Sequence, residues 1–254
     1  MRVGLYVTCL VDLVRPSVGW SALQLLESAG CEVVVPEQTC CGQPAYNSGE
    51  RELARALARQ AIEAFADCDY VVLPSGSCAS MMKRHYPALF SGSGSSFGSD
   101  TLKGADDSDA PAGLEDFCRR VYELTDFLVN VLHYTPKAAC PGAFAYHDSC
   151  SGLRDLAIKE QPRQLLRAVA GAKLTEMVEA EQCCGFGGTF SAKFPDLSCA
   201  IADRKCAALA ASGADALVGG DLGCLLHLEG RLRQQGRDTP VFHIAEVLAG
   251  RTRR

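Results

Sequence analysis

The stretch "EQTCCGQPAYNSGE" at residues 37–50 sets two cysteines, Cys40 and Cys41, side by side and follows them with Gly42. Residues 181–188, "EQCCGFGG", repeat the device as Cys183, Cys184 and Gly185. A pattern that recurs within one chain signals a duplicated unit. The remaining cysteines extend it. Cys9 stands 141 residues before Cys150, the Cys-Cys pairs are 143 residues apart, and Cys78 stands 146 residues before Cys224. The flanks agree: "GLYVTC" (4–9) matches "AFAYHDSC" (143–150), and "DYVVLPSGSCASMMKRH" (69–85) matches "DALVGGDLGCLLHLEGR" (215–231). "VYELTDFL" (121–128) likewise matches "VFHIAEVL" (241–248). Two homologous halves follow, 1–136 and 137–254, related by a pseudo-twofold.

Each half alternates strand and helix signals. The strands are "VGLYVT", "CEVVV" and "YVVLP", then "AFAYH", "AKLTEM" and "DALVG". Helical stretches fall near 17–29, 49–66, 77–87, 114–132, 160–170, 196–211 and 222–234. Such alternation predicts an α/β fold, a parallel sheet in each half with helices on its faces. The Gly-, Ser- and Asp-rich run 91–113 has no apolar periodicity and no counterpart in the second half. It reads as a flexible insertion.

Composition narrows the chemistry. Of 254 residues, 48% are hydrophobic and 22% charged, an ordinary globular balance. A net charge of −5 offers no basic footprint for nucleic acid. No apolar run approaches the roughly 20 residues that span a bilayer. The N-terminus carries Asp12 and Arg15 inside its apolar stretch and reads as a first strand, not a signal peptide. The expected location is the cytoplasm. Fourteen cysteines in a reducing compartment point to metal or redox chemistry before a disulfide framework.

Loops at the carboxyl ends of parallel strands gather at one edge, where ligands bind. Cys9, Cys40, Cys41 and Cys78 are placed to meet there, as are Cys150, Cys183, Cys184 and Cys224. Adjacent cysteines strain to bind one ion but can serve two irons of one cluster. A following glycine leaves backbone room, and a helix opening at Cys78 or Cys224 offsets anionic charge. Zinc takes four thiolates too, usually through C-x-x-C knuckles that are absent here, and thiol–disulfide chemistry is a third reading. Cys31, Cys68, Cys118, Cys140, Cys199 and Cys206 fall outside the repeat and read as small buried hydrophobes. His147, Asp148, His227 and His85 lie close enough in sequence to tune a cluster or relay a proton, or are plain polar residues at element ends. His133 and His243 read as structural, and "GFGG" (185–188) as backbone room instead of a dinucleotide fingerprint.

The duplicated motif resembles that of the cysteine-rich CCG domain family over almost the whole chain. Its relatives include heterodisulfide reductase and glycolate oxidase subunits. The resemblance implies iron–sulfur clusters, [4Fe–4S] in type, held by the eight repeat cysteines. It also implies a redox subunit that passes electrons in a lactate utilisation complex oxidising L-lactate to pyruvate. The implied partners are a ferredoxin-type iron–sulfur subunit and a smaller third subunit of that complex, with a small-molecule 2-hydroxy acid as substrate. A heterodisulfide or thiol reductase, or the iron–sulfur subunit of a glycolate oxidase, is the alternative. Where the fullest motif has C-x-x-C, this chain has Ser75-x-x-Cys78 and Asp221-x-x-Cys224. Each half therefore retains four thiols, with Asp221 as an auxiliary oxygen donor.

Overall fold

The structure is a computed structural model that describes residues 1–91 and 110–252. It contains two four-stranded sheets. In the first, β1 (Arg2–Leu5), β2 (Glu32–Val34), β3 (Tyr70–Leu73) and β4 (Val121–Glu123) lie in the order β2-β1-β3-β4. In the second, β5 (Ala139–His147), β6 (Ala170–Thr175), β7 (Ala216–Gly219) and β8 (Val241–His243) lie in the order β6-β5-β7-β8. Every pairing is parallel, so the strand order and sense of one half repeat in the other. Equivalent residues can be read from the registers. Leu5 pairs with Val72 and Tyr146 with Val218, which makes Tyr6 the counterpart of His147.

The six strands expected from periodicity are present. Two more, β4 and β8, were not expected. The helix expected over 114–132 is broken: Leu114–Arg120 is helical, β4 intervenes, and helix resumes at Leu124. Three residues are too short for a period-2 signal against helical neighbours. Tertiary pairing decides them, through Val71↔Val121 and Leu73↔Glu123. Glu123 then ends the strand by accepting hydrogen bonds from the Thr125 and Asp126 amides, which caps the next helix. Of the expected insertion 91–113, residues 92–109 lie outside the described residues.

One hydrophobic core runs through both halves. Val3, Leu5, Val11 and Val72 of the first half join Phe144, Ala145, Leu217 and Val218 of the second. The opposite face of the first sheet, with Val71 and Leu73, packs on its own helices. The contacts across the seam are reciprocal. His243, at the end of β8, shares a hydrogen bond with the carbonyl of Pro74, just beyond β3, at 3.1 Å. Its counterpart Glu123, at the end of β4, lies against Gly220, just beyond β7. The Ile244–Leu248 helix packs on the Pro16–Ser28 helix, and the helical segment after β4 packs on Glu160–Ala168. Arg15 and Glu229 add an ion pair across the seam at 2.5 Å.

Candidate metal centre

All eight repeat cysteines line one cleft of about 510 Å³ at the carboxyl ends of the strands. Each arrives by a local device. Cys9 opens the short Cys9–Val14 helix four residues beyond β1, immediately after Thr8, whose φ of 71° is unusual for a residue with a side chain. Cys150 stands three residues beyond β5, leading into the Ser151–Asp155 turn. Cys78 is the third residue of the Gly76–Ser80 helix, and its amide is capped by the Ser75 hydroxyl at 3.3 Å. Cys224 is the third residue of the Leu222–Gln234 helix.

The adjacent cysteines turn to different neighbours. Cys40 Sγ lies 3.9 Å from Cys9 Sγ, while Cys41 Sγ lies 3.3 Å from Cys78 Sγ. In the second half Cys183 pairs with Cys150 and Cys184 with Cys224. The hydrogen bonds polarise each set. Cys40 and Cys183 accept from neighbouring thiols, which lowers each below the ordinary thiol pKa. Their donors Cys9 and Cys150 are pushed up, first by that bond and then by burial.

The glycine of each motif is required by the backbone. Gly42 and Gly185 have φ of 82° and 90°, the left-handed region. A Cβ on Gly185 would stand 2.4 Å from the Ser198 carbonyl oxygen, in the first turn of the Pro195–Ser212 helix. This turn also aims amides at sulfur: Gly185 N–H donates to Cys183 Sγ at 3.3 Å and Phe186 N–H to Cys184 Sγ at 3.4 Å. Such bonds favour thiolate over thiol.

The sequence pattern of the cysteine-rich domain (CCG) matches residues 3–83 and 144–229. The chain belongs to the CCG domain family. Lactate utilization protein A of Geobacillus thermodenitrificans (strain NG80-2) is 46% identical over 250 residues, covering 98% of each chain. The protein of that name from Geobacillus kaustophilus (strain HTA426) is 45% identical over 253 residues, covering 99% of this chain and all of its own. Among solved structures, a hypothetical protein from Helicobacter pylori superposes with a TM-score of 0.62 at 13% identity. It covers all of this chain, which spans 49% of that one, and shows the fold alone.

Within this CCG chain the two thiol sets differ in what lies beneath them. Under the first, Tyr6 donates to the Thr39 carbonyl at 2.7 Å and Tyr86 to the Cys41 carbonyl at 3.0 Å. Under the second, His147 is 1% exposed and neither ring nitrogen has a hydrogen-bond partner. Burial, aided by the Lys205 ammonium, pushes its pKa down to about 3, so the imidazole is neutral. One ring nitrogen of His147 and the sulfurs of Cys184 and Cys224 lie within 4.8 Å of one another. Lys205 is itself buried, donates to the Glu179 and Ala180 carbonyls, and brings positive charge to Cys183, Cys184 and Cys224.

Asp221 lines the cleft and reaches across the seam. Its carboxylate accepts from Ser77 N–H of the other half at 2.8 Å and from the Ser75 hydroxyl at 3.3 Å. The two residues standing where the fullest motif has cysteine thus bond to each other across the seam. Asp148 is not at the sulfurs either; it makes a buried two-pronged pair with Arg163 at 2.8 Å. His227 bonds to Ser198, and His85 lines the cleft against Tyr46. Outside the repeat, Cys31, Cys68, Cys118, Cys140 and Cys206 are buried, while Cys199 is only half-buried. Lys205, Tyr6 and Tyr86 lie outside the cysteine motif. Lys205 had a signal, since it shares a helix face with Ala202, Cys206 and Leu209.

Proposed function

We propose that the chain is an iron–sulfur redox subunit acting in the oxidation of L-lactate to pyruvate in the cytoplasm. Cys9, Cys40, Cys41 and Cys78 would hold one [4Fe–4S] cluster, and Cys150, Cys183, Cys184 and Cys224 a second. The observation that carries this reading is the convergence of two thiol tetrads on one cleft. The donor chemistry fits: soft thiolates, amides aimed at sulfur, and a buried ammonium to balance anionic charge. Such clusters, when bound, supply one-electron transfer.

The chain's own residues bear on the division of labour. Among the described residues lining the cleft none is Arg or Lys, the side chains that grip a carboxylate. That supports electron transfer as this chain's part, with the 2-hydroxy acid bound by a partner. The names of the relatives support lactate as the fuel. The proposed partners are a ferredoxin-type iron–sulfur subunit and a smaller third subunit. Zinc is the second reading, favoured by the compact His147, Cys184 and Cys224 trio.

The test is anaerobic purification followed by absorption spectroscopy and iron, sulfide and zinc analysis. A brown protein with matching iron and sulfide is expected; a colourless, zinc-loaded one overturns the cluster assignment. In the complex with both partners, L-lactate should bleach the visible band. Bleaching by glycolate and not by lactate would reassign the substrate.

A further inference from the structure

His147, buried beneath the second tetrad, has a chemistry that the tetrads leave unused. Its counterpart Tyr6 is a satisfied hydrogen-bond donor, so duplication alone does not explain an imidazole here. A buried polar side chain with no partner is costly, and such groups are rare without a reason. Both of its nitrogens are orphaned, which a single missed hydrogen bond would not produce. The neighbouring Lys205 offers only donors, already directed to two carbonyls, and cannot be the acceptor that an imidazole N–H needs.

The separation from Cys184 and Cys224 supplies the reason. Three donor atoms within 4.8 Å of one another are a small side-chain rotation away from the roughly 3.5 Å separations of a tetrahedral site with bonds of about 2.0–2.3 Å.

We propose that His147 is a direct nitrogen ligand of the iron centre built on Cys184 and Cys224, so that the second half carries a mixed imidazole–thiolate centre and the first an all-thiolate one. This rests on the iron–sulfur reading of the tetrads. A neutral imidazole joins the four thiolates without adding negative charge, where a further thiolate would lower the centre's potential. Lys205 raises that potential, because a cation favours the reduced, more negative state. The second centre is therefore the more easily reduced of the two, and the duplicated halves are not redundant.

The experiment uses the full chain, reconstituted with iron and sulfide, reduced, and examined by pulsed electron paramagnetic resonance with and without ¹⁵N-histidine. Iron analysis and potentiometry accompany it. Expected is a coupling from a directly bonded nitrogen that changes on labelling, persists in His85→Gln and His227→Gln, and vanishes in His147→Cys. In that variant a thiolate can take the same place, so iron is retained and the potential of the second centre falls. If His147→Cys fails to fold, the coupling in the His85→Gln/His227→Gln double variant still assigns it, since His133 and His243 lack cysteine neighbours. An iron-loaded protein with no bonded-nitrogen coupling overturns the proposal and leaves the cluster reading intact. So does a coupling that survives in His147→Cys. A protein that binds neither iron nor sulfide overturns the cluster reading, and this inference with it.

Discussion

Alanine at the two motif glycines should have unequal effects, and the structure gives the size of the difference. Both residues have left-handed backbones, so either substitution carries a strain of about 1–2 kcal/mol. At Gly42 the new Cβ would lie 3.4 Å from the Ala54 carbonyl oxygen, an ordinary contact. At Gly185 it would lie 2.4 Å from the Ser198 carbonyl oxygen and 3.3 Å from Ile201 Cβ. The obstacle is helix backbone, so the first turn of Pro195–Ser212 must shift. Overpacking of that kind adds about 1–3 kcal/mol, for a total near 2–5 kcal/mol. For a chain of this size each kcal/mol moves Tm by roughly 2–4 °C. Gly42→Ala should lower Tm by about 2–8 °C, and Gly185→Ala by about 4–20 °C, from the same conversion. The assay is circular dichroism melting of the metal-free protein under reducing conditions. A shift in Ser198 also disturbs its hydroxyl bond to the Gly185 carbonyl, so the second tetrad should lose iron while the first keeps it. Equal Tm losses, or a larger loss at Gly42, would show that the turn is not wedged against the helix as described.

Three further outcomes are expected. Cys41→Ser or Cys184→Ser should strip most iron from its half, whereas Ser75→Ala and Asp221→Ala should leave iron bound; Asp221→Ala should instead cost about 1–3 kcal/mol in urea melts, by orphaning Ser77 N–H. Arg163→Met should cost about 3–5 kcal/mol, because it strands the buried Asp148 carboxylate, and a loss under about 1 kcal/mol would mean that Asp148 finds another partner. Burial raises the Glu123 pKa from 4.5 to about 7, so the folded state holds a proton that the unfolded state has released, and stability is lost as pH climbs through that window; the Tm of Glu123→Gln relative to the parent should therefore rise across the same window, and a flat difference would refute the shift.

Much of the fold was readable because duplication presents each signal twice. The six strands with clear apolar runs were visible, as was the placement of Cys9, Cys78, Cys150 and Cys224 after strand ends. β4 and β8 were hidden, since three residues between helices carry too little pattern and their pairing with β3 and β7 is set by tertiary structure. The site was legible in its thiols and much less so in their surroundings. Asp221 looked like a ligand substitute because it stands where a cysteine was expected. Its partner Ser77 lies 144 residues away, and nothing in the sequence joins them. The role of Gly42 and Gly185 was half visible: backbone room was the right idea, but the room is needed for a left-handed turn, and at Gly185 for a neighbouring helix, while the amides reach the cysteine sulfurs. In sequence His147 neighbours Cys150, yet in space it lies beside Cys184 and Cys224, which follow two other strands.

The seam between the halves passes through the cleft itself, and this bears on how the tetrads behave. Asp221 begins the helix that carries Cys224, while its carboxylate holds the amide of Ser77, one residue before Cys78. A negative charge at that helix start is favourable, because the free amides there are positive. Anionic centres in the same cleft would compete for those amides, and the Asp221–Ser77 bond keeps them oriented across the seam. The same bond ties the backbone next to Cys78 to the backbone next to Cys224, so a shift at either helix start is felt at the other. The reciprocal contacts of His243 with Pro74 and of Glu123 with Gly220 brace the strand ends on both sides. The second half's Cys184 and Cys224 sit in the core shared by both halves, whereas Cys41 sits in the core of the first half alone. Duplication here has yielded two thiol sets that share one cleft and differ chiefly in what lies beneath them: Tyr6 and Tyr86 on one side, His147 and Lys205 on the other.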